Sequence, residues 1–250
     1  MTSGPQLFAR FATPPNMLGY CGTAETEDFF EAVTVSDTGH LRSRAPTFIG
    51  AFPYLELIAQ CNGLNDPLDQ RVVEAYWIGS QLLSQVATNA VGDHLADRFR
   101  RQAHSSWEQI GDGILRGAEP SHAFHVFGIY PWLGLLRSGI VEPALDTLDR
   151  CRIAPGRITA VGDTKATALV RPLQWDGRWI GFGEPTPRSV SWARNGKSPT
   201  ARPEIGDTVA IHWEWICGKL GRNRLRRLQE STNRALRAAD VIPTRAASTH

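Results

Sequence analysis

No stretch of this 250-residue chain is apolar for long enough to cross a bilayer. The nearest, HVFGIYPWLGLL over residues 125–136, is interrupted by Pro131 and falls well short of the ~20 residues a spanning helix needs. The start, MTSGPQLFARFATPPNMLGYCG, lacks a basic segment leading into a continuous apolar run. No secretory signal is expected there, and the expected location is cytoplasmic. Lysine is scarce, with 3 residues beside 24 arginines, a ratio that reads as coding bias. The net charge of +2 is too small to suggest a nucleic-acid partner. Cysteine is scarce too. Cys21, Cys61, Cys151 and Cys217 include no CxxC pair and no zinc-finger spacing, which excludes a disulfide frame and predicts reduced thiols, most of them small buried hydrophobes. No internal repeat is visible.

What is present is ordinary for a globular protein: 42% hydrophobic and 21% charged residues, enough chain for one large domain or two small ones. The first 150 residues carry helical patterning. Thr23 is placed to cap AETEDFFEAV, whose acidic first turn suits a helix N-terminus. TFIGAFPYLELIAQC is helical from about Pro53 and stops at Asn62-Gly63. Asp66 and Pro67 open a helix whose apolar face holds Val72, Tyr76, Leu82, Leu83 and Val86. DHLADRFRRQA and WEQIGDGILRG are shorter and more polar. SHAFHVFGIYPWLGLLRSG is apolar nearly all round, which predicts a central helix bent at Pro131 and ended by Gly139. EPALDTLDRC then runs into Cys151.

After Cys151 the period changes. RITAV, TALVRPLQ, RWIGF, RSVSW and DTVAIHWEW are short, rich in β-branched and aromatic residues, and separated by Gly-Asp, Asp-Gly and Asn-Gly turns. They predict a small closed or partly closed barrel. GRNRLRRLQESTNRALRAAD returns to helix, with Leu225, Leu228 and Leu236 inward. Its six arginines against two acids face outward, as a solvated face or a docking surface for an acidic partner. The tail from Pro243 is expected to be disordered. The expected fold is therefore α+β. An all-helical domain spans residues 1–150, an OB-like barrel with a trailing C-terminal helix spans 151–240, and a tail covers 241–250.

Three places could carry chemistry. Cys151 is either packing at a helix end or a thiol held at a turn by Pro155-Gly156. Arg150 and Arg152 on either side would favour thiolate. His122 and His125, three apart on the central helix, share a face and could bind a metal with a carboxylate from Glu74, Glu56, Glu25 or Asp28. That pair would make the helical part a metal-dependent enzyme. The alternative, which is the expectation here, is two core histidines beside Tyr130 and Trp132. No ExxH motif signals a diiron bundle. Cys21 in PNMLGYCG and Cys217 are expected to be structural.

Two motifs carry a resemblance. Cys151, Pro155, Gly156, Arg157 and Ile158 match, without a gap, the opening of the HypC-type hydrogenase assembly chaperones (HypC, HupF, HoxL). Gly206, Asp207, Val209, His212, Lys219 and Leu220 match the segment that closes the same family's barrel. The resemblance covers about residues 151–237 and leaves the helical part unassigned. It implies an OB-like barrel with a trailing helix that works with a maturation scaffold protein. Such a barrel holds an iron atom carrying cyanide and carbon monoxide, and passes it to the hydrogenase large subunit. Cys151 would be the cargo ligand, His212 its support, and Arg152, Pro155 and Trp213 part of the partner surface. A non-catalytic interaction module is the plainer version of the same barrel. Two departures stand out. In the family the cysteine follows the initiator methionine, whereas here it is internal. The segment from about Asp176 to Pro203 is also longer here, adding Trp179 and Trp192, with Trp175 just before it.

Overall fold

Ser3 accepts a hydrogen bond from the Gln6 amide and Pro5 sits in the first turn, starting a helix over Gly4–Met17 that MTSGPQLFARFATPPN did not suggest. The structure, a computed structural model, describes residues 2–93 and 112–240. The helix expected over DHLADRFRRQA, the first half of WEQIGDGILRG and the tail fall almost wholly outside those residues. Leu7, Phe8, Phe11 and Ala12 of the N-terminal helix are buried. Phe8 meets Phe48 edge-on and Phe11 stacks on Trp77 at 5.3 Å, so this helix lies within the helical core.

The other helices follow the sequence with three corrections. AETEDFFEAV is helical from Thr26, with Glu25 at the cap. Thr23 instead accepts from the Glu25 amide and donates to its carboxylate. Phe52–Cys61 ends at Asn62 as expected. The helix expected from Asp66 through Val86 is really two. Asp66 caps a turn through the Leu68 amide, Asp69 caps Gln70–Ile78, and Gly79 breaks the run at φ 97° before Gln81–Ser84. A side chain at Gly79 would also press on Ser231 of the trailing helix, so this break is a packing point.

The third correction concerns the central helix. It is a single α-turn, His122–Phe124, capped by Ser121, continuing as a π-helical turn over His125–Ile129. A separate helix, Trp132–Arg137, follows Pro131. A π-turn widens the helix by one residue and is often found where side chains must be re-aimed. Here it begins at His125, whose amide still bonds the Ser121 carbonyl at 3.0 Å as in an α-helix, so it re-aims the residues after His125 and leaves the His122–His125 spacing as it was.

Val141–Cys151 leads straight into β1 (Ala154–Val161). With β2 (Lys165–Val170), β5 (Thr186–Ser191), β6 (Thr208–His212) and β7 (Trp215–Lys219) it closes a barrel in the order β1-β2-β5-β7-β6. All pairings are antiparallel except β5 with β7. This is the OB-like barrel expected from the sequence. β3 (Leu173–Trp175) and β4 (Ile180–Phe182) form a hairpin outside it. Leu173 and Ile180 of that hairpin are buried with the helical core, and Trp192 packs on the barrel core. The trailing helix runs over Arg222–Ala238.

β6 joins the two halves. Its Val209 and Ile211 point into the barrel with Ile158, Val170 and Val190, while Ala210 belongs to the core of the helices. Alternation along a strand sends successive residues to opposite faces, so His212, next in line after Ile211, is delivered to the helical side.

Candidate metal centre

Cys151 is the last residue of its helix and His212 the last of its strand, 61 positions away. The pairing of Ala154 with Ile211 fixes their neighbourhood. Three bonds complete it. The Trp213 amide donates to the Arg150 carbonyl at 2.9 Å, the Arg150 side chain pairs with Glu214 at 3.1 Å, and a ring nitrogen of His122 lies 2.8 Å from the Cys151 carbonyl. Trp213 and Glu214, between β6 and β7, both adopt left-handed backbone angles (φ 48° and 63°). Neither residue type favours that conformation. Positive φ at both positions is what a two-residue hairpin between the paired ends His212 and Trp215 requires, and the contacts to Arg150 hold it.

One ligand atom from each of His122, Cys151 and His212 lies within 4.8 Å of the others, and all three residues are buried. Their hydrogen bonds fix the histidine tautomers. Nε2 of His122 faces the Cys151 carbonyl, and Nδ1 of His212 faces the Phe11 carbonyl at 2.7 Å. A carbonyl only accepts, so each of those nitrogens carries the proton. The lone pairs are left on Nδ1 of His122 and Nε2 of His212; the latter, fully buried, makes no well-formed hydrogen bond, although the Cys151 backbone lies near the ring. Donating one ring N–H to a backbone carbonyl while offering the other nitrogen is how proteins orient metal-binding imidazoles. Burial keeps both rings neutral, lowering His122 to about 4 and His212 well below 6.5.

The thiol departs from the sequence expectation. Arg152 does not activate it, because its guanidinium is bound to Asp149. Arg150 is spent on Asp146 and Glu214. Burial pushes the Cys151 thiol up to about 12, so without metal it is protonated and inert. A bound ion would displace that proton, as metals do at thiol ligands. Two neutral imidazoles and one thiolate suit borderline to soft transition ions and do not suit Mg²⁺ or Ca²⁺.

Other expected site residues lie elsewhere. Glu74 pairs with Arg224 and Arg227 of the trailing helix, and Glu25 with Arg44. Asp28 is exposed. No carboxylate joins the three ligands among the described residues. His125 instead bonds the buried Tyr54 hydroxyl at 2.9 Å and packs on Tyr130, as a core histidine would. Arg152 and Trp213 are buried and cannot form an exposed partner surface; Pro155 is half-buried. The basic face of the trailing helix is partly neutralised from within, by Glu74, Glu230 and Glu119. The remaining motif residues serve the barrel. A side chain at Gly156 would collide with Ile211, Gly206 turns at φ 93°, and Asp207 pairs with Lys219 at 2.9 Å.

Stability should depend steeply on acid. His122, His125 (lowered to about 3) and His212 are neutral when folded, yet titrate near 6.5 when unfolded. Between about pH 6.5 and pH 4 the unfolded chain binds more protons, so stability is complete above that window and is lost as pH falls through it. The slope is up to about 1.4 kcal/mol per pH unit for each histidine. Urea unfolding of the metal-free protein at pH 7 and pH 5 measures it; equal midpoints would show that the rings are not held neutral.

No curated protein and no solved structure matches the chain. Residues 1–246, which take in both the helices and the barrel that form this centre, place it in a family of unknown function (DUF6390), to which it belongs.

Proposed function

We propose that this protein is a metal-cargo carrier. It holds a thiophilic transition ion through Cys151, His212 and His122 at the seam between helices and barrel. The supporting observation is the convergence of three buried donors whose free ring nitrogens are fixed by two backbone carbonyls. Following the order of the two barrel motifs, the cargo is iron, bearing cyanide and carbonyl ligands. The client is the large subunit of a nickel–iron hydrogenase or its maturation scaffold protein. Low-spin iron favours a soft sulfur donor, which Cys151 supplies once deprotonated. Carrying, as opposed to turnover, fits a site whose three donors are buried and which no carboxylate joins among the described residues.

Anaerobic purification from a hydrogenase-producing host tests this. About one iron per chain with infrared bands in the cyanide and carbonyl region is the expected result. A metal without those bands would keep the centre and remove the hydrogenase cargo; a chain that neither arrives with metal nor takes it up would end both.

A further inference from the structure

We propose that the groove between the trailing helix and the outer wall of the barrel is a second binding site. Its ligand is a small organic anion, with one carboxylate or phosphate group on a mainly apolar body. Along β1, Ile158 points into the barrel, so Arg157 before it points out. Its paired neighbours, Leu169 on β2 and Thr208 on β6, line the groove beside it. The main contacts of the trailing helix are elsewhere, with Gln70–Ile78, His122–Phe124 and His125–Ile129. A groove of about 500 Å³ is left between Arg157 and the helix face that carries Leu225, Leu228 and Gln229. That volume falls within the ~300–1,000 Å³ of small-molecule sites.

The charge in the groove is of one sign. Arg152, Arg157 and Arg171 line it, and no carboxylate does. Arg152 is answered by Asp149. Arg157 is exposed, and its side chain forms no ion pair among the described residues. Arg171 donates to the Phe182 and Gly183 carbonyls, both at 2.9 Å, and has no carboxylate either. Those two bonds orient its guanidinium and leave further N–H groups for a ligand. Arg42, Arg44 and Arg194 on the surface each face a carboxylate instead. Two unanswered guanidiniums suit a carboxylate or phosphate, whose oxygens match their paired N–H groups.

Much of the remaining wall is carbon. Phe182 of the outer hairpin lines the groove with the guanidinium carbons of Arg152 and Arg171 at 5.3 and 5.9 Å from its ring centre. Pro155, Leu169 and Leu225 continue that surface. A bare inorganic ion would leave these side chains uncovered. An uncharged apolar molecule would take water from two guanidiniums and return nothing. An anion with an apolar body answers both. None of the three metal donors lines the groove, so this site stands independently of the metal-carrier reading.

Titration of the metal-free full-length protein with 8-anilino-1-naphthalenesulfonate, followed by fluorescence and calorimetry, tests this. The dye is an aromatic anion whose sulfonate stands in for the carboxylate or phosphate. Arg157→Gln should weaken its binding about fivefold, the effect of one charge contact at an exposed position. Gln229→Trp, which fills the groove from an exposed position on the helix, should abolish it. Arg226→Gln removes the same charge from a side chain of that helix that is outside the groove, and should change nothing. Circular dichroism checks that each variant is folded. Octanoate or phenyl phosphate should displace the dye, and the more effective of the two identifies the head group. Octanol and inorganic phosphate, each carrying half of the required chemistry, should displace it at least about tenfold less well. Three results would overturn the proposal: a wild type that binds no dye, binding unchanged in Arg157→Gln and Gln229→Trp, or octanol displacing the dye as well as both anions do.

Discussion

Serine in place of Cys151 should leave the protein folded and strip it of stably held metal. The substitution keeps the volume and a weak donor in a position that is 6% exposed, so the core around it is little disturbed. It replaces the thiolate, the one anionic donor among His122, Cys151 and His212, with a hydroxyl that remains protonated and is a poor ligand for soft ions. Loss of a mere supporting residue around a metal typically costs ~10–100-fold in affinity, and loss of a ligand should cost on the order of hundredfold or more. Metal content after gel filtration, and competition with a chelator, measure it. Circular dichroism shows whether the fold survives. Cys217→Ser is the contrasting case. Cys217 is buried and is not one of the clustered donors, with its sulfur 3.6 Å from the Trp215 carbonyl, so a hydroxyl there should lower stability by about 1–3 kcal/mol and spare the metal. A folded Cys151→Ser protein that holds metal as tightly as the wild type would remove Cys151 from the ligand set. Where a maturation assay is at hand, that variant should also fail to support an active hydrogenase.

The change of period at Cys151 was enough to place the boundary between helices and barrel, since strand alternation and tight-turn residues are local signals. The adjacency of Cys151 and His212 was legible for a related reason: they flank the first strand and close the strand paired with it. The third donor was only half legible. His122 stood out as a possible ligand, but its partner set was misread, because a spacing of three suggests a shared face and cannot show that His125 is held by the Tyr54 hydroxyl. The acceptors that fix both tautomers are the carbonyls of Phe11 and Cys151, 201 and 29 positions away. Backbone acceptors leave no mark in side-chain identity, so no pattern could have shown them. The N-terminal helix, Gly4–Met17, was hidden too, because its two late prolines, Pro14 and Pro15, make it read as irregular chain. The arginines beside Cys151 misled in the opposite sense, since charge next to a thiol in sequence does not fix where the guanidinium points. Arg152 turns to Asp149, and the structural use of that pair is the larger.

Asp149→Asn should therefore be among the most destabilising single substitutions in the chain. Asp149, in the last turn before Cys151, accepts from Nε of Arg152 at 2.9 Å, from Arg188 of β5, and from the Leu173 amide of the outer hairpin at 3.1 Å. One carboxylate thus ties the linking helix to the barrel and to the hairpin. Arg152 is 3% exposed, and its remaining support is the Arg171 carbonyl and the Phe182 ring. An asparagine can still accept from Leu173, but it turns an amide donor toward two guanidinium groups and leaves the Arg152 charge buried without a counterion. Breaking such a pair by removing one partner costs about 3–5 kcal/mol, a large share of the ~5–15 kcal/mol by which domains are stable. At roughly 2–4 °C per kcal/mol for a chain of this size, the melting temperature should fall by about 6–20 °C. Arg152→Met added to Asp149→Asn should restore much of the loss, because it removes the stranded charge and keeps an apolar stem over Phe182. A single variant that melts within about 2 °C of the wild type, or a double variant no better than the single, would show that the carboxylate does not hold these elements together. The same loosening should reach the metal. Cys151 lies two residues beyond Asp149, so the single variant should hold metal less tightly even at temperatures where it remains folded, and the double variant should recover retention together with stability.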